Sequence, residues 1–261
     1  MKLKYILSSI LFSIIVFAAA DAFGLFDVSG LSVFFRNIKG SSIIFCFGLC
    51  LVSAYTSWER FANIGLFGSK GGFQYSKKVF FRSMALGLVI GSPVVSDALR
   101  VWFGRSSGQT RVNRLVIAVV LDRVSALGMM LAILGFWLAP VSLGLIGFVI
   151  VILVGSFLVG FLSTVCNFIS STALVLAGYV VQESGVDFAS FSVGFTFGLL
   201  SSSVPGFFMG FGIREILYGL SNSFFGFSGN LVFYSGAVIS CLVMSSIAHF
   251  LLGCFKWSDA Q

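Results

Sequence analysis

The sequence predicts an all-α polytopic membrane protein of about six spanning helices, plus two Pro/Gly-broken apolar segments that read as re-entrant. Three observations predict it. Hydrophobic residues make up 58% of the 261 positions and charged residues only 10%, with a mean hydropathy of +1.06, whereas a soluble chain carries about 25% charged residues. The apolar residues fall in runs near the roughly 20 residues that hydrocarbon requires. Trp58, Trp102, Trp137 and Trp257 stand near the ends of those runs, where an interfacial aromatic belt lies. Residues 1–261 therefore read as a single integral membrane domain.

The first element expected is a helix over Tyr5 to Phe23. Lys2, Lys4, the apolar run from Tyr5 to Phe17 and Ala18-Ala19-Ala20 also fit a cleavable signal peptide over residues 1–20, although a retained first span is the reading adopted. The following spans are Ser41 to Trp58, Leu115 to Leu138, Val141 to Leu162, Phe168 to Val181 and Leu231 to Gly253. The broken segments cover Phe80 to Phe103 and Ala189 to Gly212. Each carries a turn where a simple span should be uniform: Pro93 in the first, and Pro205, Gly206, Gly210 and Gly212 in the second. Freed backbone groups are tolerated at membrane depth only where they face protein or a wet cavity. A pair of such breaks, one in each half of the chain, points toward a transport pathway.

The formal charge of +7 sits between apolar spans and not along a solvated stripe, which argues for orientation in a bilayer and against a nucleic-acid partner. Lys70, Lys77, Lys78 and Arg82 precede the first broken segment or stand at its start, while Arg100, Arg105, Arg111 and Arg114 lie at its end or follow it. A re-entrant path keeps both clusters on the cytoplasmic side, as the positive-inside bias prefers. Glu183 and Asp187 then fall in an outer loop, and both termini are expected in the cytoplasm.

Asp122 and Arg123 lie inside an apolar run, roughly 12 Å beyond Arg114 at helical rise. A charge near the bilayer centre costs about 2.5–3.5 kcal/mol even on an insertion scale. Adjacent helical residues point about 100° apart, so these two need partners elsewhere. Arg214-Glu215 poses the same problem, and Asp97 with Arg100 at i, i+3 pairs along one face if that stretch is helical. These six residues are candidates for one polar network around a cavity between the broken segments. A structural ion-pair cluster that fixes helix packing is the competing reading.

At these residues the chain resembles the transmembrane region of lysylphosphatidylglycerol synthases, a family also found as stand-alone flippase-like membrane proteins. One signature appears as Pro93, Ser96-Asp97, Arg100, Arg105, Gly108 and Asp122-Arg123, the other as Pro205 and Gly210-Phe211-Gly212-Ile213-Arg214-Glu215. The order and spacing run over about Ser83 to Leu220. The chain departs from the family in having Ser96-Asp97 for Gly-Glu, Asp122-Arg123 for Glu-Arg and Met209-Gly210 for a double glycine. Synthase members carry a soluble aminoacyl-transfer domain after the membrane part, and residues to Gln261 show none. The resemblance thus implies lipid translocation across a bacterial-type inner membrane.

The chemistry is compatible with that expectation. Arg100, Arg123 and Arg214 would meet an anionic headgroup, because guanidinium matches phosphate bidentately. Asp97, Asp122 and Glu215 would hold those arginines or a cationic headgroup moiety. Gly104-Arg105-Ser106-Ser107-Gly108-Gln109-Thr110 lacks the lysine of a phosphate-binding loop, so no ATPase activity is expected. Cys46 and Cys50 share a helix face while Cys166, Cys241 and Cys254 are scattered, which reads as buried inert thiols and no metal site or cofactor. His249 reads as a structural histidine. With no nucleophile–base pair the sequence argues against an enzyme. It leaves a lipid flippase or transporter, or a non-transporting membrane partner of a synthase or glycosyltransferase.

Overall fold

The structure, a computed structural model, describes residues 28–66, 76–90, 93–106, 112–138, 141–182, 187–201 and 231–255. Nine α-helices occur among the described residues: α1 (Val28–Asn37), α2 (Gly40–Leu66), α3 (Lys77–Ile90), α4 (Pro93–Ser106), α5 (Val112–Leu138), α6 (Val141–Val159), α7 (Phe161–Gln182), α8 (Phe188–Ser201) and α9 (Leu231–Cys254). Four of them, α2, α5, α7 and α9, are long and apolar enough to cross a membrane. The expected first span and the second broken segment beyond Ser201 lie outside the described residues.

Several boundaries differ from expectation. The second span does not stop at Trp58 but continues to Leu66, because Phe61, Ala62 and Ile64 extend the apolar pattern past Glu59-Arg60. The division expected between Leu162 and Phe168 falls instead at Gly160, whose φ of 91° is a left-handed conformation suited to glycine at a helix end. The fifth span is thereby a full 22 residues, Phe161–Gln182. Helix α1 was not expected; it docks where Gly236 of α9 approaches Phe34, with a Cβ at Gly236 falling 2.3 Å from the ring.

Helix α7 is buried over more of its length than the other three long helices and occupies the centre. Its buried residues include Ser163, Thr164, Ser170, Ala173, Ala177 and Gly178, small residues that allow close helix approach where lipid gives no hydrophobic push between helices. Against α2 that face is tied by hydroxyls, with Ser170 Oγ 3.1 Å from Ser53 Oγ and 2.8 Å from Ser57 Oγ. Helix α9 packs on α2, α3 and α7, and α5 touches α2, α4, α6, α7 and α8. By contrast α6 exposes Leu145, Ile146, Val149, Ile150, Leu153 and Phe157. An apolar face of that extent requires lipid or a partner.

The first broken segment is two helices, α3 and α4, that fold back on one another with Pro93 as the first residue of α4. Proline is favoured there because the missing N–H would have no helical acceptor. Gly87 makes the fold-back possible: a Cβ at that position would lie 2.2 Å from Ser96 Cβ. Each helix has 14 residues, about 21 Å at helical rise, against about 30 Å of hydrocarbon.

Candidate functional site

Three helices, α2, α4 and α5, bring their charged residues together. On α4, Asp97 and Arg100 stand three residues apart, and the Arg100 guanidinium donates to Asp97 through Nη2. On α5, Asp122 and Arg123 point in different directions, as adjacent helical residues must. Asp122 takes Arg100 Nη1 on Oδ2 at 3.0 Å, and Arg60 Nε from α2 on Oδ1 at 2.6 Å. Arg123 turns to Asp97, donating from Nε and Nη2 at 2.8 Å each. The result is a continuous alternating chain, Arg60–Asp122–Arg100–Asp97–Arg123, that closes α2, α4 and α5 around one axis.

Its environment changes along its length. Arg100 and Asp122 are each only 1% exposed, and Arg100 is also stacked near two rings, 5.1 Å from Phe61 and 5.6 Å from Phe80. Such a cation is held by its carboxylates and by ring faces that favour positive charge. The Arg123 side chain is 34% exposed and Asp97 19%, so the network opens at that end. Among the described residues the network sets three guanidiniums against two carboxylates. Buried ions of this kind persist only when their remaining hydrogen-bonding groups are satisfied.

Helix α7 supplies part of that satisfaction. Asn167 Oδ1 accepts Arg60 Nη1 at 2.6 Å, and its amide donates to the Ser125 carbonyl at 2.7 Å and Ser125 Oγ at 3.0 Å. Ser163 Oγ donates to the Arg60 carbonyl at 3.3 Å. Asn167 therefore fixes the orientation of Arg60 and ties α7 to α5 at the same level.

Of the six charged residues singled out by sequence, the structure joins Asp97, Arg100, Asp122 and Arg123 in this network. Arg214 and Glu215 lie outside the described residues, as do Pro205, Gly206, Gly210 and Gly212. Arg60, Asn167 and Ser125 were missed. The available signal was Arg60 itself, a charge followed by more apolar residues and not by a loop. Asp187, read as part of a solvated loop, is exposed but caps α8: Ser190 N–H donates to its Oδ1 at 2.9 Å and Ser190 Oγ to Oδ2.

Comparison with family models, with characterised proteins and with solved structures finds no match. The geometry of the network therefore carries the functional reading.

Nearby, His249 of α9 is 4% exposed, lies against Phe81 and directs Nδ1 at the Ser245 carbonyl, 2.7 Å away. Its Nε2 has no hydrogen-bond partner among the described residues. Cys46, Cys50, Cys166 and Cys241 are buried and Cys254 exposed, all as free thiols. No group of three His, Cys, Asp or Glu side chains is placed to hold a metal ion among the described residues.

Proposed function

We propose that this protein translocates a phospholipid or a lipid-linked headgroup across a bacterial-type inner membrane, through a cavity lined by the Arg60–Arg123 ion chain. The observation that carries this reading is the opening of the chain at its Arg123 end. A lipid headgroup meets a steep desolvation barrier in hydrocarbon. A guanidinium that already makes a bidentate contact with a carboxylate, as Arg123 does with Asp97, presents the same geometry to a phosphate. An entering phosphate would displace Asp97 from Arg123, and Asp97 would keep its bond to Arg100. The buried half, Arg60–Asp122–Arg100, would stay assembled and hold the helices in register while the headgroup passes.

The α3–α4 pair serves in this reading as a re-entrant element whose basic ends remain cytoplasmic, with both termini on that side. Its length, short of a span, supports that placement, and so does the resemblance to the lysylphosphatidylglycerol synthase membrane region. In this reading Arg214 and Glu215 complete the headgroup contacts from the second broken segment.

A second reading is favoured by one observation: every member of the ion chain has a partner within the protein. A purely structural network would suit a non-transporting membrane partner of a lipid-modifying or glycosyl-transferring enzyme. Reconstitution separates the two. Liposomes containing headgroup-labelled phosphatidylglycerol, phosphatidylethanolamine or a polyprenyl-phosphate lipid should show bilayer exchange with the wild type and little with Arg123→Gln. Exchange that is equal in the two proteins, or absent with all three lipids, sinks the transport reading.

A further inference from the structure

A second feature is a groove that shares no lining residue with the ion chain. It has a volume of about 670 Å³ and runs between α3, α4 and α9, with Arg82, Leu86, Phe103, Ile247, Phe250 and Cys254 among its lining residues. That is within the range of sites that hold a small ligand. Its walls are apolar over most of their length. The hydroxyl of Ser246, also in the wall, donates to the Leu242 carbonyl at 2.7 Å within its own helix, so it asks nothing of an occupant.

Charge is confined to one end. Arg82 is exposed, and it has no carboxylate partner among the described residues. Its stem rests on α9 at Gly253, where a Cβ would come 3.3 Å from Arg82 Cγ. Cys254, the last residue of α9, closes the same end. From Cys254 to Ser246 the groove follows α9 for eight residues, about 12 Å along the helix at helical rise. Lys78, one turn before Arg82 on α3, and Arg105, two residues past Phe103 on α4, are both exposed and add positive charge at this end.

We propose that this groove binds an anionic glycerophospholipid, with an acyl chain along Leu86, Phe103, Ile247 and Phe250 and the phosphate at Arg82. An apolar trough topped by a guanidinium that meets no carboxylate among the described residues matches a tail joined to an anion. It fits neither a soluble polar ligand, which the walls could not solvate, nor an uncharged tail, which would leave Arg82 unused. Lysine and arginine at a membrane face attract acidic lipids electrostatically. The site is separate from the ion chain and does not depend on transport.

The test uses the full-length protein in phosphatidylcholine nanodiscs containing a trace of phosphatidylglycerol with a diazirine in its acyl chain. Photo-cross-links should map to Phe103, Ile247 and Phe250. Unlabelled phosphatidylglycerol should compete better than phosphatidylcholine by about fivefold, the ratio expected for one basic side chain at the surface. Arg82→Gln should bring that ratio close to one. Ile247→Trp should remove the cross-links without lowering the unfolding midpoint. Cross-links spread over other exposed faces such as that of α6, equal competition by the two lipids in the wild type, or a ratio unchanged by Arg82→Gln would each overturn the proposal. Because cross-linking is read without translocation, failure of the groove and failure of the transport reading are distinguishable.

Discussion

Arg60 Nε lies 2.6 Å from Asp122 Oδ1, and this contact joins α2 to α5 across 62 positions of the chain. Both groups are largely withdrawn from solvent, with side chains 10% and 2% exposed. Removing one partner of a buried pair leaves an uncompensated charge, which costs more than the pair itself contributes. Here the exposure is doubled, because Asp122 also serves Arg100.

Asp122→Ala is therefore expected to lower the unfolding free energy by about 3–5 kcal/mol, measured by denaturant titration in detergent micelles. Asp122→Glu, which keeps the charge, should lose less. A loss within experimental scatter for the alanine variant would show that the network is solvated in the folded state.

A double-mutant cycle between Arg60→Gln and Asp122→Asn should return a coupling of about 1–3 kcal/mol, the range for residues in one ion network. Additive losses would mean that the two side chains do not contact each other in the membrane. Asn167→Ala should weaken this coupling, since the Asn167 amide oxygen fixes the far side of the Arg60 guanidinium.

Arg123 separates stability from function. Its side chain is one-third exposed, so Arg123→Gln should cost less than about 1 kcal/mol, as for a solvated ion pair. The same variant should abolish most lipid exchange if the open end of the network meets the headgroup. Arg123→Lys should recover only part of it, because an ammonium lacks the bidentate fork.

Gly87→Val should drive α3 and α4 apart. A Cβ at Gly87 would meet Ser96 Cβ at 2.2 Å and the Ser96 Cα at 2.6 Å, and backbone cannot give way as a flexible side chain can. A cost of at least about 1–3 kcal/mol is expected from overpacking, with a lower thermal midpoint as the readout. Gly48→Ala on α2 is the control: nothing lies within 4 Å of its Cβ position, so stability should hold or rise.

The Asp187 cap sets a pH dependence outside the spans. Hydrogen bonds from Ser190, side chain first and then backbone, lower the Asp187 pKa from its ordinary 3.8. A lowered folded-state pKa stabilises fully above the ordinary value, and the contribution fades as pH falls below 3.8 through the folded value. Asp187→Ala should cost about 0.5–2 kcal/mol at neutral pH, as for loss of a helix N-cap. The difference from wild type should narrow steadily in acid. A gap independent of pH would show that the carboxylate is not the capping group.

The all-helical membrane class was legible in the sequence because composition alone excludes a soluble core, and the apolar runs of α2, α5 and α9 are long enough to be read without tertiary information, whereas α7 was read only from Phe168 to Val181. The helix ends were less legible. Gly160 separates α6 from α7 by a left-handed turn, yet it sits in an uninterrupted apolar run where glycine is common. Asp97 with Arg100 was readable as a pair, since i, i+3 spacing on a helix places two side chains on one face whatever surrounds them.

The sequence by itself determined that the chain belongs in a membrane, that it is helical, and that Asp122 and Arg123 must each find a partner on another element. That last inference follows from helical geometry, which turns adjacent side chains about 100° apart. Tertiary structure alone decided which partners they found. Arg60 meets Asp122, and Asn167 orients Arg60, because the small buried faces of α2 and α7 let those helices approach closely and bring the end of α2 level with the middle of α5. Packing of this kind is a property of surfaces from distant parts of the chain, so no local spacing records it.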